Sequence, residues 1–211
     1  VVMRFGACLF RGGAGTGVGF ESGSGLEVKG SGVGMEKGPE AGDLYKDIQG
    51  GEDIFKEALE VVMSALRLYD PTEILVSFNG GKDATAVFHL FRAALYQYSK
   101  ENQQNTRRQP PRMKAVYFHD AKKALEDTLE HVVNTCRVHN VDLAVIEKGY
   151  KEGITDLVSM GTRAFIIGTR SNDPNGKRGE FFAPSSKGWP SFLRVNPVVN
   201  WDYGTVWRFI K

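Results

Sequence analysis

The sequence predicts an α/β domain: a three-layer arrangement in which one parallel sheet carries helices on both faces. Three observations predict it. Short, β-rich apolar runs lack polar alternation, as strands covered on both faces require. Segments with three- and four-residue apolar steps lie between them, as amphipathic helices require. The two kinds of segment alternate along the chain, which makes the sheet parallel and its crossovers right-handed. The 211 residues are enough to bury one such core.

Residues 1 to 50 are rich in Gly and Ser, with apolar residues at no regular period. They are expected to form a disordered leader, because they bury too little surface to offset chain entropy. Met35 lies within it as an alternative start. The Gly-rich string at 13–19 has no strand before it and no amphipathic helix after it, so it is not read as a dinucleotide fingerprint.

The domain proper, residues 51 to 211, opens near Asp53 with a helix whose Phe55, Ala58, Leu59, Val62, Ala65, Leu66 and Tyr69 share one stripe. Asp70-Pro71 ends it, since proline disfavours helical geometry in the residue before it. The first strand is Ile74-Leu75-Val76-Ser77-Phe78. Asn79-Gly80-Gly81 turns it into a helix over 83–98 that buries Ala86, Val87, Leu90, Phe91 and Ala94. Residues 99–112 are uniformly polar and read as an exposed loop. A second strand, Ala115-Val116-Tyr117-Phe118, leads to a helix with Leu125, Leu129, Val132, Val133 and Cys136 on one face. Leu143-Ala144-Val145-Ile146 is a third strand, 154–160 a short helix, and Ala164-Phe165-Ile166-Ile167 a fourth strand. The aromatic-rich stretch from Trp189 to Tyr203 reads as a loop.

Composition narrows the function classes. A net charge of +2, from 27 basic and 25 acidic residues, is too balanced for a nucleic-acid coat or a membrane-surface binder. Neither nucleic acid nor membrane is an expected partner, and nothing speaks to protein partners. Cys8 and Cys136 form no C-x-x-C pair, so no disulfide framework or zinc knuckle is indicated. No apolar run approaches the roughly 18 residues needed to span a bilayer. The expectation is a soluble cytoplasmic protein, with organellar import left open.

In open α/β sheets, ligands bind beyond the carboxyl ends of the strands. Three unusual segments fall there: Ser77 to Asp83, His119-Asp120, and Gly168 to Asp173. In Ser77-Phe78-Asn79-Gly80-Gly81-Lys82-Asp83, paired glycines let the backbone fold tightly, so that N–H groups converge on an anion at a helix N-terminus. Lys82 adds positive charge. The Walker pattern is absent, and a bare β-to-α turn is the competing reading. In Gly168-Thr169-Arg170-Ser171-Asn172-Asp173-Pro174, Arg170 is suited to neutralise phosphate and Asp173 to accept from a ribose, a flavin or a metal-bound water. The competing reading there is an Asp-Pro turn with a solvent-facing arginine. Trp189 and its aromatic neighbours suit stacking on a flat heterocycle, or packing under a long loop. His119 stands at the end of the second strand, where a lone histidine is more often structural, and His89, His131 and His139 read as helix residues with no matched partners.

These strings together resemble a known family. S-F-N-G-G-K-D matches the S-x-G-G-K-D loop of the PP-loop ATP pyrophosphatases, whose fold is of the adenine nucleotide alpha hydrolase type. Its pairing with G-T-R-S-N-D-P and G-W-P-S-F-L-R-V-N-P-V-V-N-W-D-Y-G-T-V-W-R-F-I resembles the eukaryotic FAD synthase (FMN adenylyltransferase) domain, a PAPS reductase-like branch, over residues 53–211. The resemblance implies transfer of AMP from MgATP to FMN, giving FAD and pyrophosphate. It implies binding of ATP and FMN by Ser77, Phe78, Asn79, Gly80, Gly81, Lys82, Asp83, His119, Gly168, Thr169, Arg170, Asp173, Trp189 and Arg194. Asn79, Asp83 and Arg170 are the implied catalytic residues, and Asp83 the implied Mg²⁺ contact.

The sequence departs from the family in three places. It ends at Lys211 within the expected last helix, where members continue into a further segment, so a C-terminal truncation is expected. No molybdopterin-binding-type domain is expected among the residues before it. His119-Asp120-Ala121-Lys122-Lys123 replaces the usual Phe-Pro-Glu segment, which alters the flavin side. Other PP-loop chemistries fit less well: PAPS reduction wants a reactive tail cysteine and tRNA thiolation paired cysteines. A binding module without turnover carries the same motifs.

Overall fold

The computed structural model describes residues 2–5, 39–103, 111–120, 126–173 and 179–211. In chain order the elements are strand β1 (Val2–Phe5), helices α1 (Ala41–Gly50) and α2 (Asp53–Leu68), β2 (Ile74–Ser77), α3 (Lys82–Gln103), β3 (Lys114–Phe118), α4 (Glu126–Val138), β4 (Asp142–Ile146), α5 (Tyr150–Ser159), β5 (Ala164–Ile166), β6 (Phe182–Pro184), β7 (Leu193–Val195) and α6 (Tyr203–Ile210).

Helix α2 forms where its apolar stripe dictates, and its buried residues include Phe55, Ala58, Leu59, Val62, Ala65 and Leu66. It stops at the Asp70-Pro71 signal. There Asp70 accepts the Thr72 N–H at 2.8 Å while Glu73 accepts the Asp70 N–H at 3.1 Å, a reciprocal cap that starts a short 3₁₀ turn leading into β2.

The strands assemble in the order β1-β4-β3-β2-β5-β7-β6. All pairings are parallel except that of β6 with β7. Alternate residues on the strands face opposite layers. Ile74, Val76, Ala115, Leu143, Val145 and Ile166 join the larger core with α2, α3, α4 and α6. Leu75, Val116, Ile146 and Phe165 form a smaller core with Ile154 and Leu157 of α5. The chain steps from β2 to β3 to β4 through helices on the first face, then returns across the sheet to β5 through α5 on the second. Right-handed crossovers require that change of face when the direction reverses. β2 and β5 are therefore neighbours whose onward connections diverge, which opens a crevice at their carboxyl ends.

The structure departs from the sequence expectations at several points. Helix α1 falls inside the stretch expected to be disordered. It packs against α3, where Gly42 lies so close to Tyr96 that a Cβ would sit 2.8 Å from the ring. Val2–Phe5 pairs with β4, and the Gly-rich string at 13–19, Cys8 and Met35 lie outside the described residues. The sheet is not wholly parallel, because β6 folds back on β7. Helix α3 runs to Gln103 rather than ending at Tyr98, since polar residues continue a helix when its other face is already docked. The supposed aromatic loop contains β7 and leads into α6. Trp201 in it is buried against Phe55 and Phe209, at ring distances of 5.3 and 5.1 Å.

His89 and His139 do have partners. Arg92 Nη1 lies 2.9 Å from His89 Nδ1, and the two imidazoles meet edge to face at 5.5 Å. The other arm of Arg92 donates to the Pro39 carbonyl at 3.1 Å, tying the approach to α1 onto α3. Burial, then the neighbouring Arg92 and His139, push the His89 pKa down from 6.5 to about 4. The folded chain thus holds His89 neutral at a pH where the unfolded chain binds a proton, and stability falls as the pH drops from 6.5 towards 4. Thermal melts at pH 7 and pH 4.5 will show the wild type losing more stability on acidification than His89→Gln. Equal losses in the two proteins would contradict this account.

Candidate active site

The first of the two loops leaves β2 at Ser77. The Phe78 N–H continues the ladder to the Val116 carbonyl at 2.9 Å, and its side chain is buried against Phe88 at a ring distance of 4.6 Å. Phe78 therefore anchors the loop in the core, and its ring is not available to a ligand. Asn79 Oδ1 accepts the Gly81 N–H at 3.0 Å, a local side-chain turn of the kind asparagine favours. Gly80 has φ +76°, the left-handed region where a side chain is disfavoured, and a Cβ there would also meet His131 Cδ2 at 2.9 Å. The first helical hydrogen bond of α3 runs from the Thr85 N–H to the Gly81 carbonyl at 2.8 Å. By helix geometry the N–H groups of Lys82, Asp83 and Ala84 thus have no acceptor within α3, and they point at whatever lies beyond the helix start.

The second loop leaves β5. The Ile167 N–H reaches the Val195 carbonyl at 2.9 Å, which carries the sheet one residue further. Gly168 then lies directly on the first turn of α3. A Cβ on Gly168 would stand 2.8 Å from the Asp83 carbonyl carbon and 3.0 Å from the Ala84 nitrogen. Beyond it the chain closes a tight turn, in which Asp173 Oδ2 accepts the Arg170 N–H at 2.8 Å and the Asp173 N–H returns to the Arg170 carbonyl at 2.9 Å. The Ser171 N–H fastens this turn to the Val199 carbonyl at 2.8 Å. Pro174 lies outside the described residues.

Between the loops is a cleft of about 220 Å³. Ser77, Asn79, Gly81 and Asp83 line one side, Gly168, Thr169 and Asp173 the other. Ala84 and Ile167, which sequence reasoning did not single out, also line it. Lys82 and Arg170 meet the cleft through Asp83: Lys82 Nζ is 2.7 Å from Asp83 Oδ2, and Arg170 Nε is 3.1 Å from Asp83 Oδ1. The second contact is an ion pair without hydrogen-bond alignment, so both Asp83 Oδ1 and Arg170 Nε are buried with no hydrogen-bond partner. Lys82 also lies 5.3 Å from the centre of the Tyr203 ring, within cation–π range, so α6 borders the loop.

Of the expected binding residues, Phe78, Gly80, Lys82, His119, Arg170, Trp189 and Arg194 do not line this cleft. Arg194, on β7, sits opposite Phe165 on the face of the smaller core and donates to the Pro184 carbonyl at 3.1 Å. Trp189 packs at the edge of the smaller core, 5.8 Å from Tyr150. His119 follows β3, its N–H bonded to the Ile146 carbonyl at 2.8 Å and its Nδ1 buried without a partner. His131 and Tyr203 are the neighbours of the loop that the sequence did not reveal. Each belongs to a helix far away in the chain, and only the folded packing brings it to Gly80 or Lys82.

The chain is similar to known proteins in both sequence and fold. The phosphoadenosine phosphosulfate reductase domain family matches residues 150–211. A protein of Schizosaccharomyces pombe named probable FAD synthase is 26% identical over 156 residues, which covers 72% of this chain and 57% of that protein. Proteins named FAD synthase or probable FAD synthase are thus similar to it in sequence. The crystal structure of yeast FAD synthetase in complex with FAD superposes with a TM-score of 0.67 at 23% identity, covering 81% of this chain and 66% of that one. Candida glabrata FMN adenylyltransferase, in complex with FMN and the ATP analogue AMPCPP, gives a TM-score of 0.66 at 22% identity over 81% of this chain and 65% of that one. The fold is thus shared with yeast FAD synthetase and Candida glabrata FMN adenylyltransferase. The chain spans just over half the length of the fission yeast protein.

Gly168→Ala will force a methyl group into the backbone of Asp83. It is expected to destabilise the domain by about 1–3 kcal/mol, read from urea unfolding. A substitution without effect on the transition midpoint would show that the two loops are not packed as described.

Proposed function

We propose that this chain transfers AMP from MgATP to FMN, giving FAD and pyrophosphate. The observation that carries the reading is the backbone contact of Gly168 with the first turn of α3, which gathers Lys82, Asp83 and Arg170 at one cleft. The names and bound ligands of its relatives support the same reading.

In this reaction an oxygen of the FMN phosphate bonds to the α-phosphorus of ATP, and the bond from that phosphorus to the α–β bridging oxygen breaks. Pyrophosphate leaves with the electron pair. The attacking oxygen is already anionic, so no strong general base is needed, and the protein's contribution is alignment and charge neutralisation. The free N–H groups at the start of α3, with Lys82, suit the leaving pyrophosphate. Gly80 and Gly81 allow the phosphates to approach the main chain, and Asn79 holds the bend in shape through the Gly81 N–H. Arg170 suits the bridge between the nucleotide and flavin phosphates, with Ser77, Thr169 and Asp173 along the same walls. His119, Trp189 and Arg194 remain candidates for the outer, flavin side, away from the phosphates.

Asp83 fits a magnesium contact: its Oδ1 is buried and without a hydrogen bond, so it can accept from a metal-bound water. Among the described residues no three His, Cys, Asp or Glu side chains converge on a point, so phosphate oxygens and water would supply most of the coordination. When bound, the ion supplies charge neutralisation on the phosphates. Thiol chemistry at Cys136 is disfavoured, because burial pushes that thiol up to about 12.

Incubation with MgATP and FMN is expected to give FAD and pyrophosphate in equal amounts. Lys82→Ala and Asp83→Ala should each abolish turnover while leaving the circular dichroism spectrum native, since both residues belong to a loop and a first helical turn rather than the core. Use of an acceptor other than FMN would overturn the assignment, and binding of both nucleotides without turnover would favour a binding module.

A further inference from the structure

The carboxylate of Asp83 is placed between two cations from two different loops. Lys82, its chain neighbour, lies 2.7 Å from Oδ2, and Arg170, from the loop after β5, lies 3.1 Å from Oδ1. All three side chains are largely shielded, with 24%, 23% and 13% of the Lys82, Asp83 and Arg170 side chains exposed. The screening that weakens a surface ion pair is correspondingly reduced here. Both cations meet the cleft through this carboxylate, which is part of its lining.

We infer that Asp83 is the residue by which this site discriminates metal-complexed from metal-free polyphosphate. The inference rests on the reading of the cleft as the polyphosphate site. A metal-free di- or triphosphate entering the cleft must face the Asp83 carboxylate while competing with it for Lys82 and Arg170. A divalent cation carried in with the phosphates removes that conflict, because the carboxylate can exchange its two side-chain cations for the incoming one. Arg170 Nε and Asp83 Oδ1, both buried and neither hydrogen-bonded, are the atoms such an exchange would satisfy. The geometry thus places a like-charge gate inside the binding loop itself, so that selection against uncomplexed nucleotide needs no separate element.

The probe is inorganic pyrophosphate, titrated calorimetrically into the protein once in EDTA and once in excess Mg²⁺. The wild type is expected to bind pyrophosphate at least about tenfold more tightly with Mg²⁺ than without. Asp83→Asn keeps the shape and removes the charge. It should bind metal-free pyrophosphate at least about tenfold more tightly than the wild type, and should lose most of the gain on adding Mg²⁺. Asp83→Ser, also compatible with a helix start, serves if the first variant does not fold. Wild-type affinity unaffected by Mg²⁺ would overturn the inference, as would a folded Asp83→Asn that binds metal-free pyrophosphate no better than the wild type. If the wild type binds pyrophosphate under neither condition, the reading of the cleft itself falls and the inference with it. The two failures are therefore distinguishable.

Discussion

The site depends on one close contact between backbones. Gly168, one residue beyond the sheet ladder of β5, rests on the carbonyl group of Asp83 and the nitrogen of Ala84 at a separation that leaves no room for a Cβ. Because of it the start of α3 and the loop after β5 form two walls of one cleft. Without it, Arg170 would not come within ion-pair distance of Asp83, and the exposed N–H groups of α3 would face open solvent. Protein interiors are close-packed, so a contact of this kind tolerates little adjustment, and its precision passes to the charged groups on either side.

The contact is available only because β2 and β5 are neighbours, and that adjacency follows from handedness. Residues 78 to 163 carry the chain out through β3 and β4 and back under the sheet through α5, so that β5 arrives beside β2 on its open edge. The alternating burial of Ile74, Leu75 and Val76 holds β2 between the two cores and sets the direction in which Ser77 and Phe78 leave the sheet. Phe78 then fixes the loop by burying its ring, leaving Asn79, Gly80 and Gly81 to shape the bend. Fold and site are thus one chain of consequences, from a continuous apolar strand to a buried phenyl ring to the orientation of a helix start.

Much of this was legible in the sequence. The strand, paired-glycine turn and helix at Ile74 to Ala94 follow from local signals alone, because periodicity and turn chemistry act over a few residues. The second loop was legible for the same reason, as an unusual polar string directly after an apolar run. Long-range packing was not. Helix α1 lies in a Gly-rich context and is held by docking on α3 and by Arg92 reaching the Pro39 carbonyl, neither of which leaves a periodic trace. β6 and β7 are three residues each, too short for a pattern to show, and they exist because β5 has an edge to be paired. Aromatic content in the same region suggested a ligand platform, yet Trp201 is a core residue and Trp189 caps the smaller core. Aromatic side chains bury the most surface, so a core claims them as readily as a ligand does. His131 and Tyr203 are the reverse case: ordinary helix residues locally, they gain a role only by lying beside the loop.

Helix α6 closes the larger core from the far end of the chain. Glu52 receives Arg208 through both carboxylate oxygens, at 3.0 and 3.1 Å, and Phe55 packs against Trp201 and Phe209. These partners are separated by some 150 positions. A chain emerging from the ribosome therefore makes Glu52 and Phe55 long before α6, which meets them, has been synthesised, and β2 long before its partner β5. Domains with such distant pairings fold slowly, since the ordering of a long loop precedes the reward of the contact. During translation the Phe55 end of α2 has to wait uncovered, which makes it a segment where chaperone capture during synthesis would be felt.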